Sequence, residues 1–261
     1  MQNKKGNVLI TGASQGIGLE IARVFAKNGY DLVLVARDKQ KLSEVAKELS
    51  KNYKIQVVTI SKDLSEQKSY FELYNGIKKQ GLQIEILVNN AGFGNFGNFS
   101  ETDLTKEESM IDVNVKALTS LTKIFLQDML KRKSGKILNV ASIAAFQPGP
   151  LMAVYFATKA YVLSLSEALS EELKNSGVTV SALCPGPTAS KFQERAGMQN
   201  ANLFKKKKVM SSEEVAEIAF SDLMKGKRVI IPGFRNKISA FLGRILPRSI
   251  VLPTVKRFQQ E

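Results

Sequence analysis

Short apolar runs alternate with amphipathic stretches along most of the chain. Val8–Thr11 reads as a buried strand. Gly16–Asn28 follows as a helix, with Ile17, Ile21, Val24 and Phe25 on one face and Gly29 at its end. The same alternation predicts strands at Asp31–Ala36, Ile55–Ile60, Ile84–Asn89, Lys136–Ala141, Val178–Cys184 and Arg228–Ile231. Helices are expected over Lys39–Ser50, Ser65–Gln80, within Leu104–Lys131, and over Ala153–Asn175 and Ser212–Met224. Strands this apolar need cover on both faces, and each is followed by a helix. The pattern therefore predicts an α/β fold: one doubly wound domain over residues 1–261, with seven parallel strands and helices on both faces. Residues 186–210 break the pattern and carry Lys205-Lys206-Lys207-Lys208; a stretch this long is expected to be a substrate loop.

Composition narrows the chemistry. The 261 residues include no histidine and one cysteine. Ser-His-Asp and Cys-His catalysis, His-ligated metal sites and an intramolecular disulfide are thereby excluded. No metal is expected. No apolar run approaches the ~18–20 residues of a membrane span. The patch Val8–Ile10 is too short for a signal peptide core, so a cytoplasmic location is the expectation. The 38 Lys and Arg outnumber the 24 Asp and Glu, an electrostatic footprint that a nucleic-acid-binding protein would also show. No helix-turn-helix, zinc-finger or RNA-binding signature accompanies the charge, and no nucleic-acid partner is expected.

After the first strand comes Thr11-Gly12-Ala13-Ser14-Gln15-Gly16-Ile17-Gly18. A glycine-rich turn that opens a helix is an anion site: free N–H groups and the helix dipole face the ligand, and the glycines admit phosphate. The spacing is G-x3-G-x-G rather than the commoner dinucleotide form. The second strand ends Val35-Ala36-Arg37-Asp38. Ala36 stands where NAD sites place an acid for the ribose, and Arg37 where a 2′-phosphate can be gripped, with Ser14 as a further donor. NADP(H) is expected ahead of NAD, for which Asp38 leaves room.

Tyr155 and Lys159 stand four apart on one face of a helix. A nearby ammonium favours phenolate and moves a tyrosine toward acid–base use. Ser142 ends the preceding strand, and Asn114 places an amide in an apolar helix. Taken singly, each residue suits packing, a turn or a solvated surface.

Taken together they resemble the short-chain dehydrogenase/reductase family over about residues 6–232. The resemblance rests on Thr11-Gly12-x3-Gly16-x-Gly18, Asp63-Leu64, Asn89-Asn90-Ala91-Gly92, Asn114, Ser142, Tyr155-x3-Lys159 and Pro185-Gly186-Pro187-Thr188, all in order. It implies a Rossmann fold and hydride transfer between nicotinamide and a carbonyl or alcohol. It implies Tyr155 as proton donor or acceptor and Ser142 as holder of the substrate carbonyl. Lys159 would bind the nicotinamide ribose and lower the Tyr155 pKa, and Asn114 would position a relay water. The cofactor would lie against Gly12, Ser14, Gln15, Gly16, Ile17, Gly18 and Arg37, with Asp63 and Leu64 at the adenine. Asn90, Ala91 and Gly92 would line it, and Pro185, Gly186 and Thr188 would close over it. In relatives the helices within 104–131 and 153–175 form a dimer surface, so a homodimer is expected. Phe93, Phe96, Phe99, Phe146, Met152, Phe192 and Met198 border the substrate in relatives and suggest an apolar pocket. A ketoacyl-thioester reductase and a non-catalytic dinucleotide-binding scaffold are the alternatives. Cys184 is read as a small buried filler, or else as a pocket thiol.

Residues 225–261 hold nine Lys or Arg and one acid, Glu261. Within the extension 233–261, Phe234, Ile238, Phe241, Leu242 and Ile245 fall on one helical face flanked by Lys237, Arg244 and Arg248. That face is expected either to pack on the domain or a dimer partner, covering the pocket mouth, or to contact anionic membrane.

Overall fold

The computed structural model describes residues 5–189, 192–197 and 209–260. Seven parallel strands form the central sheet: β1 (Asn7–Thr11), β2 (Asp31–Ala36), β3 (Val57–Ser61), β4 (Ile84–Asn89), β5 (Gly135–Val140), β6 (Val178–Leu183) and β9 (Val229–Ile230). Their order is β3-β2-β1-β4-β5-β6-β9. The chain winds outward from β1 in one direction and from β4 in the other. A crevice therefore opens at the carboxyl ends of β1 and β4, where ligands bind in folds of this kind.

One face of the sheet is covered by α1 (Gly16–Lys27), α2 (Lys39–Tyr53) and α8 (Ser212–Met224), which bury Phe25, Leu42, Leu49 and Leu223 against Val8, Ile10 and Leu34. The other is covered by α3 (Ser69–Lys79), α5 (Leu118–Arg132) and α6 (Ala153–Glu172), around Leu73, Ile77, Phe125 and Met129. Helix α8 starts where the sequence predicts because Ser211 and Glu214 form a reciprocal capping box. Helix α3 starts at Ser69 rather than Ser65. Ser65 is held out of the helix by donating its backbone N–H and hydroxyl to Asp63, at 2.9 and 2.8 Å.

Two departures matter for the site. The helix expected within 104–131 is α4 (Leu104–Ile111) and α5 joined by a wide π turn, Asp112–Ala117, which contains Asn114. The stretch 186–210 contains β7 (Thr188–Ala189), the short helix α7 (Phe192–Ala196) and β8 (Met210–Ser211), with β7 and β8 paired in parallel. Met198 and the run Lys205–Lys208 lie outside the described residues.

The extension forms α9 (Phe234–Ile245) and α10 (Arg248–Gln259). Helix α9 does dock on its own domain, but through the face opposite to the one the periodicity picks out. Ala240 and Gly243 are buried, and Asn236 lies against Gly186. A Cβ on Gly243 would stand 3.3 Å from the Phe146 carbonyl. Small side chains thus let the helix approach the turn at Ile143–Phe146 closely, and the larger apolar residues are left outside. No helix among the described residues is long and apolar enough to cross a membrane.

Candidate active site

The carboxyl ends of the strands open on one cleft of about 1220 Å³. At its β1 end the phosphate-type turn is set by Gly12 and Gly16, whose φ of 67° and 57° suit glycine. Ser14, Gln15, Gly16 and Ile17 line the cleft with the start of α1, where no side chain caps the helix and no acid stands in the first turn. This leaves the dipole and the amide groups directed at whatever lies in the cleft. Gly18 sits elsewhere than expected: it is buried behind the turn, where a Cβ would collide with the Gly12 carbonyl and the Asn90 side chain. Its contribution is close packing of helix on loop.

Asn90 also braces the turn. Its Nδ2 donates to the carbonyls of Thr11 and Gly12 at 3.0 and 3.1 Å. Thr11 reciprocates through Oγ1, which accepts from the backbone N–H of Asn90 and of Ala91, both at 3.0 Å. The sequence reading missed Thr11 in this role, although its place at the end of β1 marks it. Ala91, Gly92 and Leu64 line the cleft beyond.

Arg37 lies at the end of β2 with its side chain largely exposed, 3.5 Å from a carboxylate oxygen of Asp63. Burial works against the Asp63 charge, but hydrogen bonds from Ser65 and the Arg37 guanidinium hold its pKa below the usual range. Asp38 caps α2, accepting from the Lys41 N–H at 3.0 Å, and that bond holds its carboxyl low. Lys62 also lines this end of the cleft, bound to Glu72 at 2.6 Å, and is a basic residue that sequence reading passed over.

Ser142, Tyr155 and Lys159 meet in the middle of the cleft. Ser142 follows β5 and caps the turn Ile143–Phe146, its Oγ accepting from Ala144 N–H at 3.1 Å. Lys159 is buried on α6, with Nζ donating to the Val140 carbonyl at 2.8 Å and 5.7 Å from the centre of the Tyr155 ring. Burial lowers its pKa from 10.5 to about 8. Cys184 lies near, but burial pushes its thiol up to about 12, so it is uncharged at neutral pH and gives the ammonium no counter-ion. This buried thiol matches the filler reading.

Burial likewise pushes Tyr155 up to about 12, against a lowering hydrogen bond with Ser142. Burial of the phenol outweighs the lowering expected from Lys159. The ammonium is itself poorly solvated and is engaged by the Val140 carbonyl, so desolvation of the phenol dominates.

Asn114 is buried, and its amide is fully employed. Nδ2 donates to the Phe93 carbonyl at 3.0 Å and to Thr158 Oγ1 at 3.1 Å, while Oδ1 accepts from Phe93 N–H at 3.1 Å. The π turn brings this side chain across to the loop after β4; π turns are frequent at functional sites. A Cβ on Gly92 would stand 2.9 Å from Asn114 Oδ1 and 3.5 Å from Lys159 Nζ, so the two groups converge over a glycine. Thr158 is a further residue found only in the structure.

The far end of the cleft is apolar. Met152, Phe156 and Phe192 pack around Tyr155, with the Phe192 and Tyr155 rings 5.3 Å apart, and Phe93 lines the cleft with them. Leu242, Val251 and Val255 from α9 and α10, with Leu246 between the two helices, continue the wall. Of the expected pocket residues, Phe146 is in the core under Arg244, Phe96 packs behind Met152, and Phe99 is exposed. Pro185, Gly186 and Thr188 line the opposite side, with Thr188 Oγ1 bonded to the Gly186 carbonyl at 2.9 Å.

A glycine turn, an uncapped helix start and a Ser-Tyr-Lys set in one crevice define a nicotinamide-dependent dehydrogenase site. Residues 6–201 match the short chain dehydrogenase family, and the chain belongs to it. It is an oxidoreductase of alcohol or carbonyl substrates that uses a nicotinamide cofactor.

Among its relatives is the very-long-chain 3-oxoacyl-CoA reductase-B of Danio rerio, 34% identical over 191 residues, which are 71% of this chain. The match spans 60% of that relative's length. A short-chain dehydrogenase from Sphingobium yanoikuyae, solved in complex with NADPH, is 34% identical with a TM-score of 0.83, covering 91% of this chain and 92% of that one. A bulky-bulky ketone specific alcohol dehydrogenase from Comamonas testosteroni is 30% identical with a TM-score of 0.79, covering 95% and 97%.

Proposed function

We propose that the chain is an NADP(H)-dependent reductase of bulky, apolar carbonyl compounds. The observation that carries this reading is the position of Tyr155: beside Ser142 and near Lys159, with an apolar chamber on its other side. A nicotinamide dinucleotide, held along Gly12, Ser14–Ile17, Arg37, Asn90–Gly92 and Pro185–Thr188, would supply the hydride when bound. Ser142 and Tyr155 orient the carbonyl oxygen, and the Tyr155 phenol donates its proton to that oxygen as the carbonyl carbon is reduced. A phenol held at about 12 is protonated at neutral pH, which suits donation and hence reduction. Lys159 holds the charge that steadies the phenolate left behind, and its ammonium is fixed by the Val140 carbonyl. Asn114 and Thr158 keep the Phe93 loop in register with α6.

The preference for NADP(H) is supported by Arg37, exposed at the cleft edge, and by Asp38, whose carboxylate is occupied as a helix cap. The NADPH complex of the Sphingobium relative agrees with it. The chamber walled by Phe93, Phe156, Leu242 and Val255 supports an apolar substrate, as does the bulky-ketone specificity in the Comamonas enzyme's name. A homodimer across α5 and α6 belongs to the same reading, and solution mass tests it. The functional test is NADPH and NADH oxidation with a panel of aryl and alicyclic ketones, small aldehydes and 3-oxoacyl thioesters. The expected result is turnover of the larger apolar ketones with NADPH. Turnover of thioesters alone would replace the substrate class, and equal use of NADH would overturn the cofactor assignment.

A further inference from the structure

Eight of the fourteen exposed large apolar side chains among the described residues fall between 234 and 258. They are concentrated on α9. At about 100° per residue, Phe234, Ile238, Phe241 and Ile245 share an arc that lies about 180° from docked Asn236, Ala240 and Gly243. The arc therefore points straight away from the protein, and Phe234, Phe241 and Ile245 are 77%, 60% and 57% exposed.

The charges around this arc are of one sign. Residues 233–260 contain Arg235, Lys237, Arg244, Arg248, Lys256 and Arg257 and no Asp or Glu. Lys237 and Arg244 flank the arc on one side and Arg235 on the other. Arg244 also contacts Glu167 at 3.6 Å and the Phe146 ring. Among the described residues Arg235, Lys237, Lys256 and Arg257 pair with no acid. An exposed apolar stripe bordered by cations is the form of a helix that lies in the plane of a bilayer interface. A second copy fits poorly, since a symmetric contact would bring two sets of six cations together.

We propose that α9 and α10 form a peripheral docking surface for a bilayer rich in anionic lipid. The same two helices wall the substrate chamber through Leu242, Val251 and Val255. Docking would place the chamber mouth at the lipid surface, where apolar carbonyl compounds accumulate. That last step rests on the substrate reading above; the docking surface itself does not.

The test is co-sedimentation of the full chain with phosphatidylcholine vesicles, with and without phosphatidylglycerol. The expected result is binding to the anionic vesicles at low salt, at least tenfold weaker on phosphatidylcholine alone and weakened by added salt. Each basic residue near such a surface is worth about a fivefold change in partitioning. Reversing Arg235 and Lys237 to Glu should therefore reduce binding by about 25-fold or more. The pair Ile238→Glu and Phe241→Glu should abolish it. None of these four residues lines the cleft, so turnover of a water-soluble ketone should be unchanged and reports that the variants fold. Failure of the wild type to bind anionic vesicles at low salt overturns the proposal, as does equal binding by the variants. A dimer that the Ile238 and Phe241 changes dissociate, with no vesicle binding, overturns it in favour of a second copy. Lipid binding is read without turnover, so its failure leaves the reductase reading standing, and the converse holds.

Discussion

Replacing Lys159 by methionine removes a charge that the fold buries without an ionic partner. Its ammonium donates to the Val140 carbonyl, and the neighbouring Cys184 thiol is neutral at pH 7. Lowering an amine from 10.5 to about 8 corresponds to about 3 kcal/mol of unfavourable charge burial. Methionine has similar length and no charge, so that penalty disappears. Loss of the bond to Val140 leaves a buried carbonyl and costs about 1–2 kcal/mol in return. The variant should therefore be about 1–2 kcal/mol more stable than the wild type at pH 7, a rise of a few degrees in Tm. The sign depends on pH. The folded pKa lies below the unfolded one, so between about 8 and 10.5 the unfolded chain binds more protons, and wild-type stability rises with pH. Below that window the penalty is complete; above it the penalty is gone. At pH 10.5 most of the penalty is gone, and the carbonyl left unpaired should make the variant the less stable protein by about 1 kcal/mol. Denaturant melts of both proteins at the two pH values measure this, and turnover of the variant should fall at least about a hundredfold. A variant less stable than wild type by the same margin at both pH values would refute the reasoning.

Tyr155→Phe should lose about 10²–10⁴-fold in kcat while NADPH affinity, measured by fluorescence titration, stays within about twofold. Arg37→Ala should weaken NADPH about ten- to a hundredfold and leave NADH almost unchanged, because the lost contact is to the 2′-phosphate; equal losses would show that Arg37 only shapes the loop. The rate of carbonyl reduction should fall as pH rises through about 8, where Lys159 loses its proton, and a flat profile to pH 10 would separate Lys159 from the proton-transfer step. Gly92→Ala should lower kcat more than it changes KM for NADPH, since its Cβ falls between Asn114 and Lys159.

The features legible in the sequence are those with local causes. The apolar β1, the glycine turn and the four-residue spacing of Tyr155 and Lys159 each follow from a few adjacent residues, and the structure places them as read. What escaped depends on partners distant in the chain. The π turn exists in a segment whose periodicity is helical, and Asn114 takes its place by bonding to Phe93 and Thr158, 21 and 44 residues away. The stripe on α9 was correctly found, but periodicity gives no direction. Which side docks was decided by Ala240 and Gly243, because only small residues fit against Phe146. The upward push of burial on the Tyr155 phenol was hidden for a similar reason. Spacing gives the distance to a charge, whereas the depth of burial is a property of the whole cleft.

The central claim is that Tyr155 drives NADPH-dependent reduction of an apolar ketone in this cleft. Incubation with NADPH carrying deuterium at both nicotinamide C4 positions, followed by mass spectrometry of the product alcohol, tests it most directly. The account predicts one deuterium at the carbinol carbon with the wild type, and at least about a hundredfold less labelled alcohol from Tyr155→Phe in the same time. Unlabelled alcohol from the wild type, or equal labelling by the two proteins, would contradict it.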